Sequence, residues 1–194
     1  AGAASSLRSE LGSQTIGLLG FGHIGKTIAA RAKAFGMRVT VANRSAVAPS
    51  NLVDQAFPLS RLAEFMASAD AIVVSLPHLP ETTGLVDATA LAAMRADAVI
   101  LNVGRGPVID ETALFDALKA RRIGGATIDT LYQYPTSADP SPQPSRLPFS
   151  TLDNVVMTPH MSGWTHGTIR RRQLTIAENI RRLADGKPLI NRVT

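Results

Sequence analysis

The sequence predicts an α/β fold built on a doubly wound parallel sheet, and three observations carry that expectation. A glycine fingerprint, Gly20-Phe21-Gly22-His23-Ile24-Gly25, closes the apolar run Thr15-Ile16-Gly17-Leu18-Leu19. Beyond it, Ile24, Ile28, Ala32 and Phe35 recur at helical spacing until Gly36, an apolar stripe able to pack on a sheet. Strand-like and helix-like stretches then alternate almost to the end of the chain, as in a parallel sheet covered on both faces. A strand ending in G-x-G-x-x-G and running straight into a helix forms a tight turn. It lets backbone approach a pyrophosphate and aims unpaired helix N–H groups at it. Dinucleotide binding is the expected use, with Gly20, Gly22, His23, Ile24 and Gly25 as contacts.

The expected strands are Thr15–Leu19, Arg38–Ala42, Ala71–Leu76, Ala98–Val103, Gly125–Ile128 and Asn154–Met157. Between them, Leu59, Leu62, Phe65 and Met66 mark one helix, and Asp110 can N-cap another that buries Leu114 and Leu118. The last helix carries Ile169, Ile176, Ile180 and Leu183 and stops at Gly186 and Pro188. Residues 135–150 break the alternation. Five prolines lie between Pro135 and Pro148 among Ser, Thr and Asp, the composition of a long surface loop, here expected near the mouth of a site.

A chain of 194 residues that is 45% hydrophobic can bury one substantial core. It contains no apolar stretch near the roughly 18 residues a spanning helix needs, so no membrane association is expected. Zero cysteines exclude disulfides and thiolate chemistry and fit a reducing cytoplasm; no metal site is expected. The net charge of +5 is mostly arginine, with Arg170-Arg171-Arg172 and Arg181-Arg182 in the last helix. Without interleaved aromatics or a DNA-reading motif, these read as a solvated or subunit-facing helix side rather than a nucleic-acid surface.

In dinucleotide folds the second strand usually ends in an acid that takes the adenosine ribose hydroxyls and repels a 2′-phosphate. Here it ends Ala42-Asn43-Arg44-Ser45. An arginine fork suited to a phosphate, a nearby hydroxyl and no acid make NADP the preferred cofactor, with NAD as the alternative.

Four further stretches resemble the D-isomer-specific 2-hydroxyacid dehydrogenases. Leu76-Pro77-His78-Leu79-Pro80-Glu81-Thr82 is similar to the family's L-P-x-x-P-E-T loop, and Asn102-Val103-Gly104-Arg105-Gly106 to its N-x-x-R-G turn. Gly125-Ala126-Thr127-Ile128-Asp129 is similar to G-A-x-x-D, and Thr158-Pro159-His160-Met161-Ser162-Gly163 to T-P-H-x-x-G. The resemblance covers nearly the whole chain in the family's order. It implies a Rossmann domain and hydride transfer between a nicotinamide and a 2-hydroxy or 2-keto acid such as glyoxylate or hydroxypyruvate. Arg105 would bind the substrate carboxylate, and His160 would exchange a proton with the carbonyl oxygen. Leu76, Pro77, Thr82, Val103, Gly104, Arg105, Asp129, His160 and Gly163 would adjoin the cofactor. A homodimer formed through nucleotide domains is implied as well. His78 belongs to the loop over the cofactor, and His166 is expected to be an ordinary helix residue.

Two departures qualify the resemblance. Where the family pairs its histidine with a glutamate just before a proline, this chain has Tyr134 before Pro135. A phenol is neutral near pH 7 and cannot stabilise an imidazolium as a carboxylate would, so the expectation is that Tyr134 orients His160 by a hydrogen bond or that a carboxylate from elsewhere serves it. Formate-dehydrogenase-like oxidation without proton transfer and a non-catalytic nucleotide-sensing or partner-binding module are the alternatives. The second departure is one of extent. Residues 1–13 read as an approach segment, 14–187 as the dinucleotide-binding domain, and 188–194 as the start of a return segment. The substrate domain is expected to be missing, leaving cofactor binding with weak or absent catalysis.

Overall fold

The computed structural model describes residues 10–192; residues 1–9 of the approach segment and the last two of the return segment lie outside them. Seven strands form one sheet: β1 (Thr15–Leu19), β2 (Arg38–Asn43), β3 (Gln55–Pro58), β4 (Ala71–Val74), β5 (Val99–Asn102), β6 (Gly125–Ile128) and β7 (Val155–Met157). Their order is β3-β2-β1-β4-β5-β6-β7, and every pairing is parallel. The helices are α1 (His23–Ala34), α2 (Leu62–Ala67), α3 (Ala88–Ala93), α4 (Glu111–Lys119) and α5 (His166–Ala184). The chain winds outward from β1 through β2 to β3, then returns to place β4 on the other side of β1. That reversal opens a crevice at the carboxyl ends of β1 and β4, where such sheets take ligands.

All six expected strands form, and the seventh, β3, was not anticipated. Its four residues sit at the sheet edge, end in proline and bury only Phe57, so they carry no period-two signal. The short α3 was likewise not anticipated; Asp87 caps it by accepting a hydrogen bond from the Ala90 N–H at 2.8 Å. The expected Asp110 cap forms, accepting from the Ala113 N–H at 2.7 Å, and Leu114 and Leu118 are buried beneath it.

The core lies on both faces of the sheet. On one, Ile16, Leu18, Val39, Val41 and Val73 pack with Ala29 and Ala32 of α1. On the other, Leu19, Ala42, Ile72, Val74 and Ile100 pack with Phe65 and Met66 of α2, Leu91 of α3 and Leu114 of α4. The α1 stripe is shifted from the one expected. Ile24 and Phe35 are exposed, while the small residues Gly25, Ala29 and Ala32 are buried, which lets the helix approach β1 closely.

Asp54 fastens β2 to the segment leading into β3. Its carboxylate accepts from the Val39 N–H at 2.7 Å and pairs with Lys33 of α1. The Lys33 hydrogen bond, then the Val39 N–H, holds this carboxyl below the usual aspartate range. A depressed folded-state value means the stabilisation is complete above the unfolded value of about 4 and disappears as pH falls through the folded one. Asp54→Asn should therefore cost about 0.5–1 kcal/mol at pH 7, allowing for solvent screening. Thermal unfolding of the two proteins should converge as pH drops below about 4.

Residues 135–148 form no strand or helix, as expected of a loop, and a single 3-10 turn, Phe149–Thr151, follows them; this far end is anchored. Buried Glu111 accepts from the Arg146 N–H at 2.6 Å and from its guanidinium at 2.7 Å. The Pro144 carbonyl accepts from the N–H groups of Tyr132 and Gln133, and Phe149 packs edge-on against Phe115 and parallel to Tyr132.

The chain divides into two compact units, one running to Pro159 and the other from His160 onward. In the second, Thr165 caps α5 by accepting from the Thr168 N–H at 3.1 Å. Past the helix, Gly186 takes a left-handed conformation at φ 68°, and the Asn179 side chain bonds both backbone groups of Ile190. Among the described residues, no helix is long and apolar enough to cross a membrane.

Candidate functional site

The fingerprint residues do three different jobs. Gly20 turns the chain at φ 101°, its N–H donating to the Ala42 carbonyl at 2.8 Å. The Ser75 hydroxyl donates to the Gly20 carbonyl at 3.2 Å, fixing the turn to the end of β4. A Cβ on Gly25 would lie 2.4 Å from the Gly20 carbonyl oxygen, so the third glycine is what lets α1 close on the turn. A Cβ on Gly22 would meet nothing within 4 Å. Gly22 is also the N-cap of α1, with no side chain capping it and no acid in the first turn. The N–H groups of that turn, with His23 and Ile24 exposed beside them, thus retain the capacity to bind an anion.

These geometries separate fold from binding. Gly25→Val should destabilise the chain by about 2–3 kcal/mol through overpacking. Gly22→Val should leave the unfolding temperature within a degree or two of wild type but weaken dinucleotide binding by about tenfold or more, since its side chain would stand where a pyrophosphate must approach. Calorimetric unfolding and titration of both variants read the two effects.

A cavity of about 470 Å³ opens at the switch point, lined on one side by Gly20, Phe21 and Gly22 and on others by Asn43, Arg44 and Ser45 and by Leu76, Pro77, Leu79, Glu81 and Thr82. Asn43 braces its wall. The side-chain oxygen accepts from the Phe21 N–H at 3.3 Å, and the amide donates to the Ser45 carbonyl at 3.0 Å. Arg44 projects into solvent and reaches Glu81 at 3.5 Å. Thr82 is buried, its hydroxyl donating to the Pro77 carbonyl at 2.7 Å and accepting from the Leu79 N–H at 2.8 Å. It therefore shapes the loop as well as lining the cavity. His78 also serves that loop, its Nε2 lying 2.9 Å from the Thr83 hydroxyl. The residues fit a dinucleotide: an open glycine at a helix N-terminus, an apolar slot and a cation at its rim.

A second cluster stands at the carboxyl ends of β5, β6 and β7. Buried Asn102 accepts from the Gly104 N–H at 3.1 Å and donates to the Arg105 carbonyl at 3.0 Å, folding Val103-Gly104-Arg105 into a fixed turn. A Cβ on Gly104 would lie 2.6 Å from the Leu76 carbonyl oxygen, so this turn packs directly on a wall of the cavity. The Arg105 side chain is exposed, one nitrogen donating to the Gly104 carbonyl at 2.7 Å. Asp129 is buried; its N–H donates to the Asn102 carbonyl at 3.1 Å, and its carboxylate accepts from the Thr158 hydroxyl at 2.6 Å. The Tyr134 hydroxyl accepts from the Leu131 N–H at 3.0 Å, closing its own turn.

His160 and Gly163 belong to the second unit. His160 holds a left-handed backbone at φ 54°, a costly conformation for a residue with a Cβ and one that concentrates at functional sites. His166 is the first residue of α5, an ordinary helix position.

Sequence reasoning singled out Arg105 and Asp129 but not the groups that hold them. Asn102 and Thr158 were visible as the first letters of N-x-x-R-G and T-P-H. Glu81 was likewise visible as the acid of L-P-x-x-P-E-T, whereas Ser75 carried no such prominence, since what marks it is a contact across the switch point.

Residues 2–162 match the D-isomer specific 2-hydroxyacid dehydrogenase family in the part described as its NAD binding domain. The chain is 35% identical over 173 residues to D-3-phosphoglycerate dehydrogenase from Mycobacterium leprae, covering 89% of this chain and 31% of that protein. Among solved structures, it is similar to a D-isomer specific 2-hydroxyacid dehydrogenase from Xanthobacter autotrophicus in complex with NADPH, at 35% identity and TM-score 0.81, covering 96% of this chain and 73% of that one. It is also similar to the NADPH-dependent glyoxylate/hydroxypyruvate reductase from Sinorhizobium meliloti in complex with NADP, at 26% identity and TM-score 0.82, covering 96% and 57%. The chain thus spans about a third of the first of these relatives.

Proposed function

Because the chain belongs to the D-isomer specific 2-hydroxyacid dehydrogenase family, we propose that it is the dinucleotide-binding part of an oxidoreductase that interconverts a 2-keto and a 2-hydroxy acid, of the glyoxylate or hydroxypyruvate kind, with NADP preferred to NAD. The observation that supports this reading is the Asn102-braced turn, which packs Gly104, the residue before Arg105, on the Leu76 wall of the cavity. A guanidinium beside a dinucleotide site offers two parallel donors to a carboxylate and fixes the keto carbon for attack.

In this reading Arg105 holds the substrate carboxylate, and His160 gives a proton to the carbonyl oxygen during reduction and takes it back during oxidation. The nicotinamide, when bound, supplies or accepts the hydride. Gly20, Gly22, His23, Ile24 and Gly25 receive the pyrophosphate, with Asn43, Arg44 and Ser45 at the adenosine end. Leu76, Pro77, Thr82, Val103, Gly104, Asp129 and Gly163 line the path to the nicotinamide. Tyr134 orients His160. A second domain, joined through residues 1–13 and 188–194, closes the substrate side. The finer expectations of a homodimer and a cytoplasmic location rest on the family resemblance, the apolar residues of α5 with Trp164, and the cysteine-free composition.

The test is a substrate panel on the protein joined to its second domain, following reduced nicotinamide. Consumption of NADPH that requires glyoxylate, hydroxypyruvate or a related keto acid is the expected result. NADPH binding without turnover would favour a sensing module, and formation of NADPH from formate would favour the formate-dehydrogenase-like reaction; either would overturn the reading.

A further inference from the structure

We propose that Glu81 sets how strongly this site prefers a 2′-phosphorylated dinucleotide, by competing with the phosphate for Arg44; the inference rests on the NADP reading above. Arg44 follows β2, and Glu81 lies in the short turn that follows β4. The two side chains meet across the rim of the cavity at 3.5 Å. Glu81 is the only acidic side chain among the described residues lining that cavity, and both members of the pair are largely exposed, at 77% and 56%.

An exposed pair of this kind contributes little to folding, but it acts differently on the two cofactors. A 2′-phosphate brings nearly two negative charges at neutral pH. To bind it, Arg44 must turn from Glu81, and the released carboxylate then faces a like-charged group across a few ångströms. A dinucleotide with free ribose hydroxyls leaves the pair intact and meets a carboxylate able to accept from them. Glu81 therefore opposes NADPH selectively, and preference is the difference between Arg44 attraction and Glu81 repulsion. The strand-end triplet Asn43-Arg44-Ser45 alone does not determine it.

Calorimetric titration of the chain with NADPH and NADH at low and high salt, comparing wild type, Glu81→Gln and Arg44→Ala, tests this. Glu81→Gln should raise the ratio of NADPH to NADH affinity about three- to fivefold at low salt, and added salt should shrink the gain. Arg44→Ala should lower the same ratio by about tenfold or more. An unchanged or reduced ratio in Glu81→Gln, with the ratio falling in Arg44→Ala, would overturn the role of Glu81 and leave the NADP reading standing. A ratio that Arg44→Ala does not change would overturn the NADP reading and this inference together.

Discussion

Replacing His160 with glutamine is expected to lower the turnover of a 2-keto acid by about 10²–10⁴-fold in the protein carrying both domains, with NADPH affinity reduced far less. Reduction of a ketone places charge on the carbonyl oxygen as the hydride arrives, and a group able to give up a proton there removes that charge within the transition state. Glutamine keeps a polar side chain of similar reach but has no proton to transfer in this range. The positive φ of His160 gives this expectation a structural footing, because strain at a residue with a side chain persists only where the surroundings impose it. The companion variant Tyr134→Glu supplies the carboxylate that the family resemblance implies at this position. It should extend keto-acid reduction to higher pH, because a carboxylate favours the protonated imidazole that donates. Equal kcat in wild type and His160→Gln would remove the histidine from the chemistry.

The second large effect is expected at Arg105. Truncation to alanine should lower kcat/KM for the keto acid by about 10²–10³-fold, much of it through KM, because a carboxylate anchored by two charge-assisted bonds loses both. Arg105→Lys should recover only part, since an ammonium cannot present the planar pair of donors. Dinucleotide titrations separate this from disruption of the turn. Asn102 bonds the Arg105 backbone, not its side chain, so NADPH should bind both variants nearly as it binds wild type. Unchanged KM in Arg105→Ala would place the substrate carboxylate elsewhere.

The parts of the fold that were legible in the sequence are those whose burial leaves a one-dimensional trace. Buried parallel strands read as apolar runs, which is why β1, β2 and β4 to β6 could be placed to within one or two residues; β7, a partly exposed edge strand, is apolar in sequence as well. The Asp110 cap was readable because its partner N–H lies three residues away. Contacts made across the sheet leave no such trace. In α1 the contact face is made of Gly25, Ala29 and Ala32, residues too small to dominate a hydrophobicity pattern, whereas the larger Ile24 and Phe35 face solvent. For β3 the deciding factor is pairing with β2, not its own four residues. The site divides the same way. The glycine fingerprint, Arg105 and Asp129 stand in recognisable strings, while the Ser75 bond to Gly20, the Arg44–Glu81 pair and the Glu111–Arg146 anchor join residues 35 to 55 positions apart.

At the switch point between β1 and β4 this chain is expected to bind a nicotinamide dinucleotide. Calorimetric titration of the 194-residue chain with NADPH, repeated with Gly22→Val, tests it most directly. Saturable one-to-one binding that Gly22→Val weakens by about tenfold or more, without a matching loss of thermal stability, is expected. No binding of NADPH or NADH by the folded chain, or binding that Gly22→Val leaves untouched, would contradict it.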